Sequence, residues 1–261
     1  MIDLEKRFSE LGLRGEKALM PFFTIGYPDM EKSLELIRAA ARSGADIIEV
    51  GIPFSDPIAD GPSIQFSSQE SLKNGTTIRG ALSSLEGLEN EINVPIVIMT
   101  YYNLILSMGT GEFARAAAAV PVSGVILPDL PPEEGAELEK LLGDAGVDTI
   151  YLVAPTSTKA RIKQVAGRSS GFIYAVSVTG VTGARRDLPP ELNTFITEIK
   201  RSTSKPVCVG FGISTKEHAE MLAPIADGII IGSAIVEIIK HSKTDPVAPV
   251  SKYLKEIKRV L

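Results

Sequence analysis

Apolar residues along this chain fall into eight short runs rich in Val and Ile, and no regular polar alternation interrupts them. Runs of this kind are typical of strands that are buried on both faces, as in parallel sheets. The pattern therefore predicts eight strands, at residues 18–25, 45–50, 94–100, 123–129, 147–154, 170–177, 206–211 and 226–232.

The segments between these runs have helical spacing. In MEKSLELIRAAARSG the apolar residues Leu34, Ile37 and Ala41 recur on one face, and PEEGAELEKLLGDAG repeats the pattern. The opening MIDLEKRFSELG is amphipathic and predicts an additional helix before the first strand. Helix ends often carry a glycine, and three glycines are predicted to mark such ends: Gly44, Gly146 and Gly167.

Strand and helix alternate over the full length, which predicts an α/β fold with a parallel sheet. Eight such units in 261 residues favour a single (β/α)8 TIM barrel domain over residues 1–261, with the extra N-terminal helix added to it. An open doubly wound sheet is the alternative. It is disfavoured because FFTIGYPD, at the first strand, lacks the GxGxxG of a dinucleotide fold.

Composition and charge disfavour nucleic-acid, membrane and metal binding as functions of this chain. The net charge of -5 gives no electrostatic reason to expect nucleic acid or a membrane surface. No signal-peptide core and no apolar stretch of about 20 residues is present, so we expect a cytoplasmic protein. Cys208 lies in an apolar run and is expected in the core. His218 and His241 are far apart in sequence without cysteine partners, so no metal site is expected.

One acidic loop stands out, in EVGIPFSDPIADGPSIQ. Glu49 ends the second apolar run, where a barrel strand would deliver it to the mouth of the active site. Apolar walls there would raise its pKa toward the range useful for proton transfer. Asp60 follows on the same long, proline-stiffened loop, and two carboxylates at one pocket can divide acid and base roles. The alternatives are an ion-paired Glu49 and an Asp60 that only makes a turn before glycine.

Three small-residue loops follow the last three predicted strands: VTGVTGAR, GFGIS and IGSAIVE. In barrels, glycine loops after strands seven and eight and the start of a short helix often bind phosphate through backbone amides. Each glycine alone would be explained by a turn, but together they predict a phosphate site formed by Gly183, Gly212, Gly232 and Ser233.

Several motifs carry a resemblance to a known family. The acidic loop, PFFTIGYPD, MTYYN, LPDLPPEE, YAVSVTGVTGAR, VGFGIS and IGSA together resemble the tryptophan synthase alpha subunits almost from end to end. The acidic loop and GVTGAR are specific to that family, whereas GFGIS and IGSA occur in many phosphate-binding barrels. The resemblance implies a lyase that cleaves indole-3-glycerol phosphate to indole and glyceraldehyde 3-phosphate.

The same resemblance assigns roles to residues. Glu49 would be the general acid and base, and Asp60 would hold the indole N–H. Thr182 would close over Asp60 and exclude water. The pocket that receives the indole and the glyceryl chain would be lined by Phe22, Ile64, Leu127, Tyr174 and Phe211. From the residues alone, the aromatic side chains could equally be core packing.

A partner is also implied by the resemblance. Alpha subunits of this family bind a pyridoxal-phosphate beta subunit, usually as α2β2, and pass indole to it, while the alpha chain itself needs no cofactor. The contact would use Pro53, Asp56, Pro57 and Asp129, although prolines in these loops could simply be turn residues.

Two other functions are compatible with the residues. One is a different phosphate-binding barrel, such as indole-3-glycerol phosphate synthase or a phosphoribosyl isomerase. The synthase would favour an early lysine in the mouth, and ALMPFFTI offers none. The other is a catalytically silent barrel that activates a partner subunit. Retention of both Glu49 and Asp60 disfavours it, and predicts that Glu49 is charged and half-buried because it moves protons.

Overall fold

Parallel strands form the centre of the molecule. The computed structural model describes residues 2–176, 191–210 and 212–261. This part of the chain contains nine strands: β1 (Ala18–Thr24), β2 (Ile48–Gly51), β3 (Ile96–Met99), β4 (Val122–Ile126), β5 (Asp148–Ile150), β6 (Leu152–Val153), β7 (Ile173–Val176), β8 (Val207–Gly210) and β9 (Gly228–Ile231). They fall within the eight predicted runs, except that β2 ends one residue beyond its run and β4 begins one residue before its run. The fifth run is split in two.

The strands close into a barrel. Their order is β5-β4-β3-β2-β1-β9-β8-β7-β6, and the neighbouring strands pair in parallel. The two ends of this order, β5 and β6, are separated by Tyr151 alone and form one interrupted strand. It pairs with β4 through its first part and with β7 through its second. The predicted TIM barrel is therefore confirmed.

Helices surround the barrel. Within the described residues they are α1 (Leu4–Arg14), α2 (Met30–Arg42), α3 (Pro62–Lys73), α4 (Ile78–Ser84), α5 (Tyr102–Met108), α6 (Thr110–Ala118), α7 (Ala136–Asp144), α8 (Lys159–Arg168), α9 (Leu192–Ser202), α10 (Lys216–Leu222), α11 (Ser233–His241) and α12 (Val247–Lys258), with 3-10 turns at Leu88–Asn90 and Pro132–Glu134. None of these helices is long and apolar enough to cross a membrane.

Local signals explain where the helices begin and end. Asp29 accepts a hydrogen bond from the Lys32 amide at 2.8 Å and caps the start of α2. Gly44 and Gly146 follow α2 and α7 with φ values of 98° and 74°, as the predicted helix ends require. The same prediction for Gly167 is wrong, because that residue lies inside α8.

The core has two layers, divided by the strand alternation. One layer lies between strands and helices, and the other fills the barrel interior. Helix α1 contributes Leu4, Phe8 and Leu11 to the interior layer. The ring of Phe8 packs 5.9 Å from that of Phe172, just before β7, so α1 covers the amino-terminal end of the barrel. This confirms the extra helix and leaves the carboxyl-terminal end for the site.

Candidate active site

A cavity opens at the carboxyl-terminal ends of the strands. Its walls include residues from β1, β2, β7 and the loops after β2, β8 and β9. Eight residues predicted from the sequence lie together around it: Phe22, Glu49, Asp60, Ile64, Tyr174, Gly212, Gly232 and Ser233. Residues far apart in the chain thus meet at one place. Thr182, Gly183 and Phe211 lie outside the described residues.

Glu49 is the most deeply buried acid of the site. In β2 the side chains of Ile48 and Val50 belong to the outer core layer, so Glu49 points into the barrel. It is 1% exposed, and its Oε2 has no hydrogen-bond partner among the described residues. Burial raises its pKa to about 8, and the charge of Asp60 adds to the rise.

The predicted state of Glu49 is therefore corrected in two respects. The side chain is fully buried rather than half-buried. With a pKa of about 8 it is protonated, not charged, in the empty site at pH 7. The physical reason is that burial strips a carboxylate of its hydration and no cation among the described residues pairs with it, so the pKa of Glu49 rises.

Asp60 lies on the loop between β2 and α3 and is held by its neighbours. Its backbone carbonyl accepts a hydrogen bond from Gln65 Nε2 at 2.8 Å. The adjacent Ala59 amide donates to the Tyr101 hydroxyl at 3.1 Å. Burial raises the pKa of Asp60 to about 6, although a hydrogen bond from Tyr101 opposes the rise. The carboxyl is thus mostly ionised at pH 7, unlike that of Glu49.

Tyr101 extends the site beyond the predicted residues. Its ring packs 5.0 Å from that of Phe54, on the acidic loop. Burial and the charge of Asp60 raise the pKa of its phenol, so it stays a hydrogen-bond donor at neutral pH. The motif MTYYN, at the carboxyl end of β3, carried the signal that could have identified it.

The pocket walls depend on two glycines. A Cβ on Gly51 would come within 2.4 Å of Cζ of Phe22, and one on Gly210 within 2.4 Å of the Tyr174 hydroxyl. Any larger residue would displace these rings. Tyr174 is buried, and the charge of Glu49 contributes to the rise of its phenol pKa after burial itself. Further wall residues that the sequence did not single out are Met99, Ile213 and Ile230.

The part of the cavity wall at the start of α11 has the features of an anion site. Helix α11 begins at Ser233 without a side-chain cap at Gly232. The amides of Ile235 and Val236 both donate to the Gly232 carbonyl, so the amides before them have no acceptor within the helix. Gly212, with φ of 80°, lines the same cavity. Unpaired amides and the positive end of a helix dipole favour a phosphate here.

Leu127 is placed differently from its prediction. It is 1% exposed and belongs to the core between strands and helices, not to the residues that line the cavity. The preceding Ile126 occupies the barrel interior instead. Side chains alternate along a strand, so a shift of one residue exchanges the two faces.

The four predicted contact residues are not equally accessible. Pro53 is buried, Asp56 is exposed and Pro57 is partly exposed. Asp129 accepts hydrogen bonds from the Tyr102 amide with both carboxylate oxygens, at 3.0 Å each, and so anchors the start of α5. Beside Asp56, Ile58 is 82% exposed, an unusual state for a large apolar side chain.

Comparisons with known proteins show the family of this chain. The model of the family described as "Tryptophan synthase alpha chain" matches residues 8–260. The chain belongs to the tryptophan synthase alpha chain family. It is 45% identical to the alpha chain of Dehalococcoides mccartyi, covering 94% of this chain and 95% of that protein. The alpha chain of Carboxydothermus hydrogenoformans is 47% identical, with 90% and 88% covered.

Solved structures match the fold of this family member over nearly its whole length. A structure from Aquifex aeolicus has a TM-score of 0.91 at 38% identity, covering 100% of this chain and 99% of that one. A Mycobacterium tuberculosis tryptophan synthase has a TM-score of 0.90 at 35% identity, with 98% and 97% covered. The alternatives of a synthase or isomerase barrel are thereby set aside.

Proposed function

We propose that Glu49 and Asp60 perform the alpha reaction of tryptophan synthase at this site. The reaction is the lyase reaction of the family: retro-aldol cleavage of indole-3-glycerol phosphate to indole and glyceraldehyde 3-phosphate, in tryptophan biosynthesis. The observation that carries the residue assignment is the buried Glu49, whose Oε2 has no partner among the described residues, in the same cavity as Asp60.

The protonation states set the order of the proposed steps. Glu49 starts protonated and gives its proton to carbon 3 of the indole ring. Asp60, ionised, accepts a hydrogen bond from the indole N–H and stabilises the positive ring. The Glu49 carboxylate then takes the proton of the glyceryl hydroxyl. The carbon–carbon bond breaks, its electron pair returns to the ring, an aldehyde forms, and Glu49 is protonated again.

Substrate orientation follows from the two sides of the cavity. Phe22, Ile64 and Tyr174 offer an apolar wall for the indole ring. Gly212, Gly232 and Ser233 would receive the phosphate through backbone amides and the serine hydroxyl. The roles proposed for Thr182, Gly183 and Phe211 rest on the family motifs alone.

A tryptophan synthase beta subunit is the partner that the family implies. We place its contact on the exposed part of the acidic loop, at Asp56, Pro57 and Ile58. Pro53 is buried and Asp129 anchors α5, so both would act by shaping the loops rather than by direct contact. An α2β2 assembly, pyridoxal phosphate in the partner only, and a cytoplasmic location complete the proposal.

Indole release tests this function. Purified chain is given indole-3-glycerol phosphate, alone and with a tryptophan synthase beta subunit, beside the Glu49→Gln variant. Slow release that rises with the beta subunit and disappears in the variant supports the proposal. Absence of indole under both conditions, from folded protein that still accelerates the beta reaction, would support the silent activator instead.

A further inference from the structure

A carboxylate stands directly behind the phosphate side of the cavity. Ser63, which lines the cavity near the start of α3, donates its hydroxyl hydrogen to Oε1 of Glu237 at 2.6 Å. Glu237 lies on α11, one turn after Ser233, and therefore on the same face of that helix. Two helices that border the anion site are thus joined by a hydrogen bond to an acid.

The acid is fixed from its other side as well. His241 Nε2 lies 3.2 Å from Oε2 of Glu237. One carboxylate oxygen therefore faces solvent and His241, and the other faces Ser63. The Glu237 side chain is 42% exposed, so water screens its charge only in part.

This contact changes what Ser63 can offer to a ligand. A hydroxyl has one hydrogen and two acceptor lone pairs. With its hydrogen directed to Glu237, Ser63 presents only lone pairs to the cavity. A phosphate monoester near pH 7 carries between one and two negative charges, and its oxygens are acceptors. The Ser63 hydroxyl therefore donates its hydrogen to Glu237, and a bound phosphate would compete with Glu237 for it.

We propose that Glu237 is an affinity-setting residue that weakens the hold of this site on the phosphate. It withholds the hydrogen of Ser63 and adds a negative charge behind the anion site. The inference rests on the proposed function, because that function supplies the phosphorylated substrate, but what it predicts is the affinity for phosphate alone. Weak phosphate binding suits a site that must release a phosphorylated aldehyde after each turnover.

Binding of phosphate probes measures this effect without any catalysis. The dissociation constants of glycerol 3-phosphate and inorganic phosphate are determined by calorimetry for the parent chain, Glu237→Gln and Glu237→Ala. We expect both variants to bind about three- to tenfold more tightly, because the charge is removed in both. Glu256→Gln, on α12 far along the chain and paired with Lys252, is the matched control and leaves the constants unchanged.

A second substitution separates the effect of the Glu237 charge from the effect of the Ser63 hydrogen. In Glu237→Ala the Ser63 hydroxyl is free to donate to the phosphate, so this variant should bind phosphate more tightly than Glu237→Gln. Adding Ser63→Ala should remove most of that difference. In turnover, the same variants should lower KM by a similar factor, a change that a merely structural role would not produce. Thermal melts of each variant confirm that the compared proteins are folded.

Unchanged or weaker phosphate binding in folded Glu237→Gln and Glu237→Ala would overturn the inference. Tighter binding in the Glu256→Gln control would overturn it too, since net charge alone would then explain the gain. Failure of the proposed function appears separately, as absence of indole release while the probe affinities still shift. The two outcomes are therefore distinguishable.

Discussion

Two buried acids, one just before β2 and one inside it, have opposite surroundings. Asp46, just before β2, is 6% exposed and accepts hydrogen bonds at 2.8 Å from the Leu19 amide and from Nζ of Lys258. Glu49, inside the same strand, is 1% exposed and has an oxygen without a partner among the described residues. The Asp46 carboxylate is thus paired with a cation and a backbone amide, whereas the Glu49 carboxyl has an unpaired oxygen that can bind a ligand.

Stability and chemistry therefore depend on different carboxyl groups of this barrel. At the amino-terminal end, a paired carboxylate ties β1, β2 and α12 together. Further along the strand, Glu49 is buried with its Oε2 unpaired among the described residues, at a cost in folding free energy. Substitutions at the two positions should therefore act on different quantities.

The largest expected effect is on catalysis at Glu49. Glu49→Gln keeps the size of the side chain but cannot exchange a proton. Indole release should fall by about 10²- to 10⁴-fold, the usual contribution of a positioned acid and base. Steady-state rates with circular dichroism of the same samples measure this. A variant that retains a tenth or more of the rate would contradict the assignment of Glu49.

The next effect is on stability at Asp46. Asp46→Asn removes the shorter of the two ion pairs of Lys258 Nζ and leaves only the 3.3 Å contact with Glu16, so it should lower the free energy of unfolding by about 1–3 kcal/mol. The rate of indole release per folded molecule should stay the same. Urea unfolding and activity assays compare Asp46→Asn with Glu49→Gln. If Asp46→Asn lost activity without losing stability, Asp46 would not be the structural carboxylate described here.

The stability of the protein should depend on pH through Glu49. Glu49 titrates near 4.5 in the unfolded chain and near 8 in the folded one. Between these values the folded state holds a proton that the unfolded state has lost, so this group makes stability fall as pH rises. Glu49→Gln should remove that fall. The variant gains stability relative to the parent at pH 8 and shows no such gain at pH 4.

Asp60 is expected to have a smaller influence on rate. Asp60→Asn loses the charge that would stabilise the indole ring, so indole release should fall about 10- to 100-fold. The same change removes a negative charge that raises the pKa of Glu49. The corresponding limb of the profile of kcat/KM against pH should move to lower pH. An unmoved limb would show that the two acids are not coupled.

Tyr101 should give the smallest effect. Tyr101→Phe keeps the ring against Phe54 but removes the hydroxyl that bonds to Asp60 and Ala59. We expect about a threefold lower rate and a higher pKa of Asp60, since the lost hydrogen bond lowered it. A pH profile measured beside Tyr102→Phe tests this. A downward shift would contradict the role given to Tyr101.

Much of the fold was predictable because both strand and helix signals are local. Apolar runs predicted the strands, and Gly44 and Gly146 predicted helix ends that positive φ values confirm. Gly167 failed because its helix continues through it, at a position where glycine is tolerated. The interruption at Tyr151 left no signal, since the residues around it remain apolar.

The candidate site was less predictable, because strands buried on both faces do not reveal which residues face inward. For this reason the sequence predicted that Leu127 faces the barrel interior, whereas its neighbour Ile126 does. The protonated state of Glu49 depends on the walls that surround it, which only the assembled barrel provides. Ser63 and Glu237 are 174 positions apart in the sequence, and no local pattern links them.

The titration of Glu49 itself tests the central claim most directly. Carbon-13 NMR of the side-chain carboxyl in the empty protein, assigned with the Glu49→Gln variant, follows its protonation from pH 4 to pH 10. We expect a pKa of about 8 that falls in Asp60→Asn. A value near 4.5, unmoved by that substitution, would mean that Glu49 is a solvated or paired carboxylate and not the proton donor proposed above.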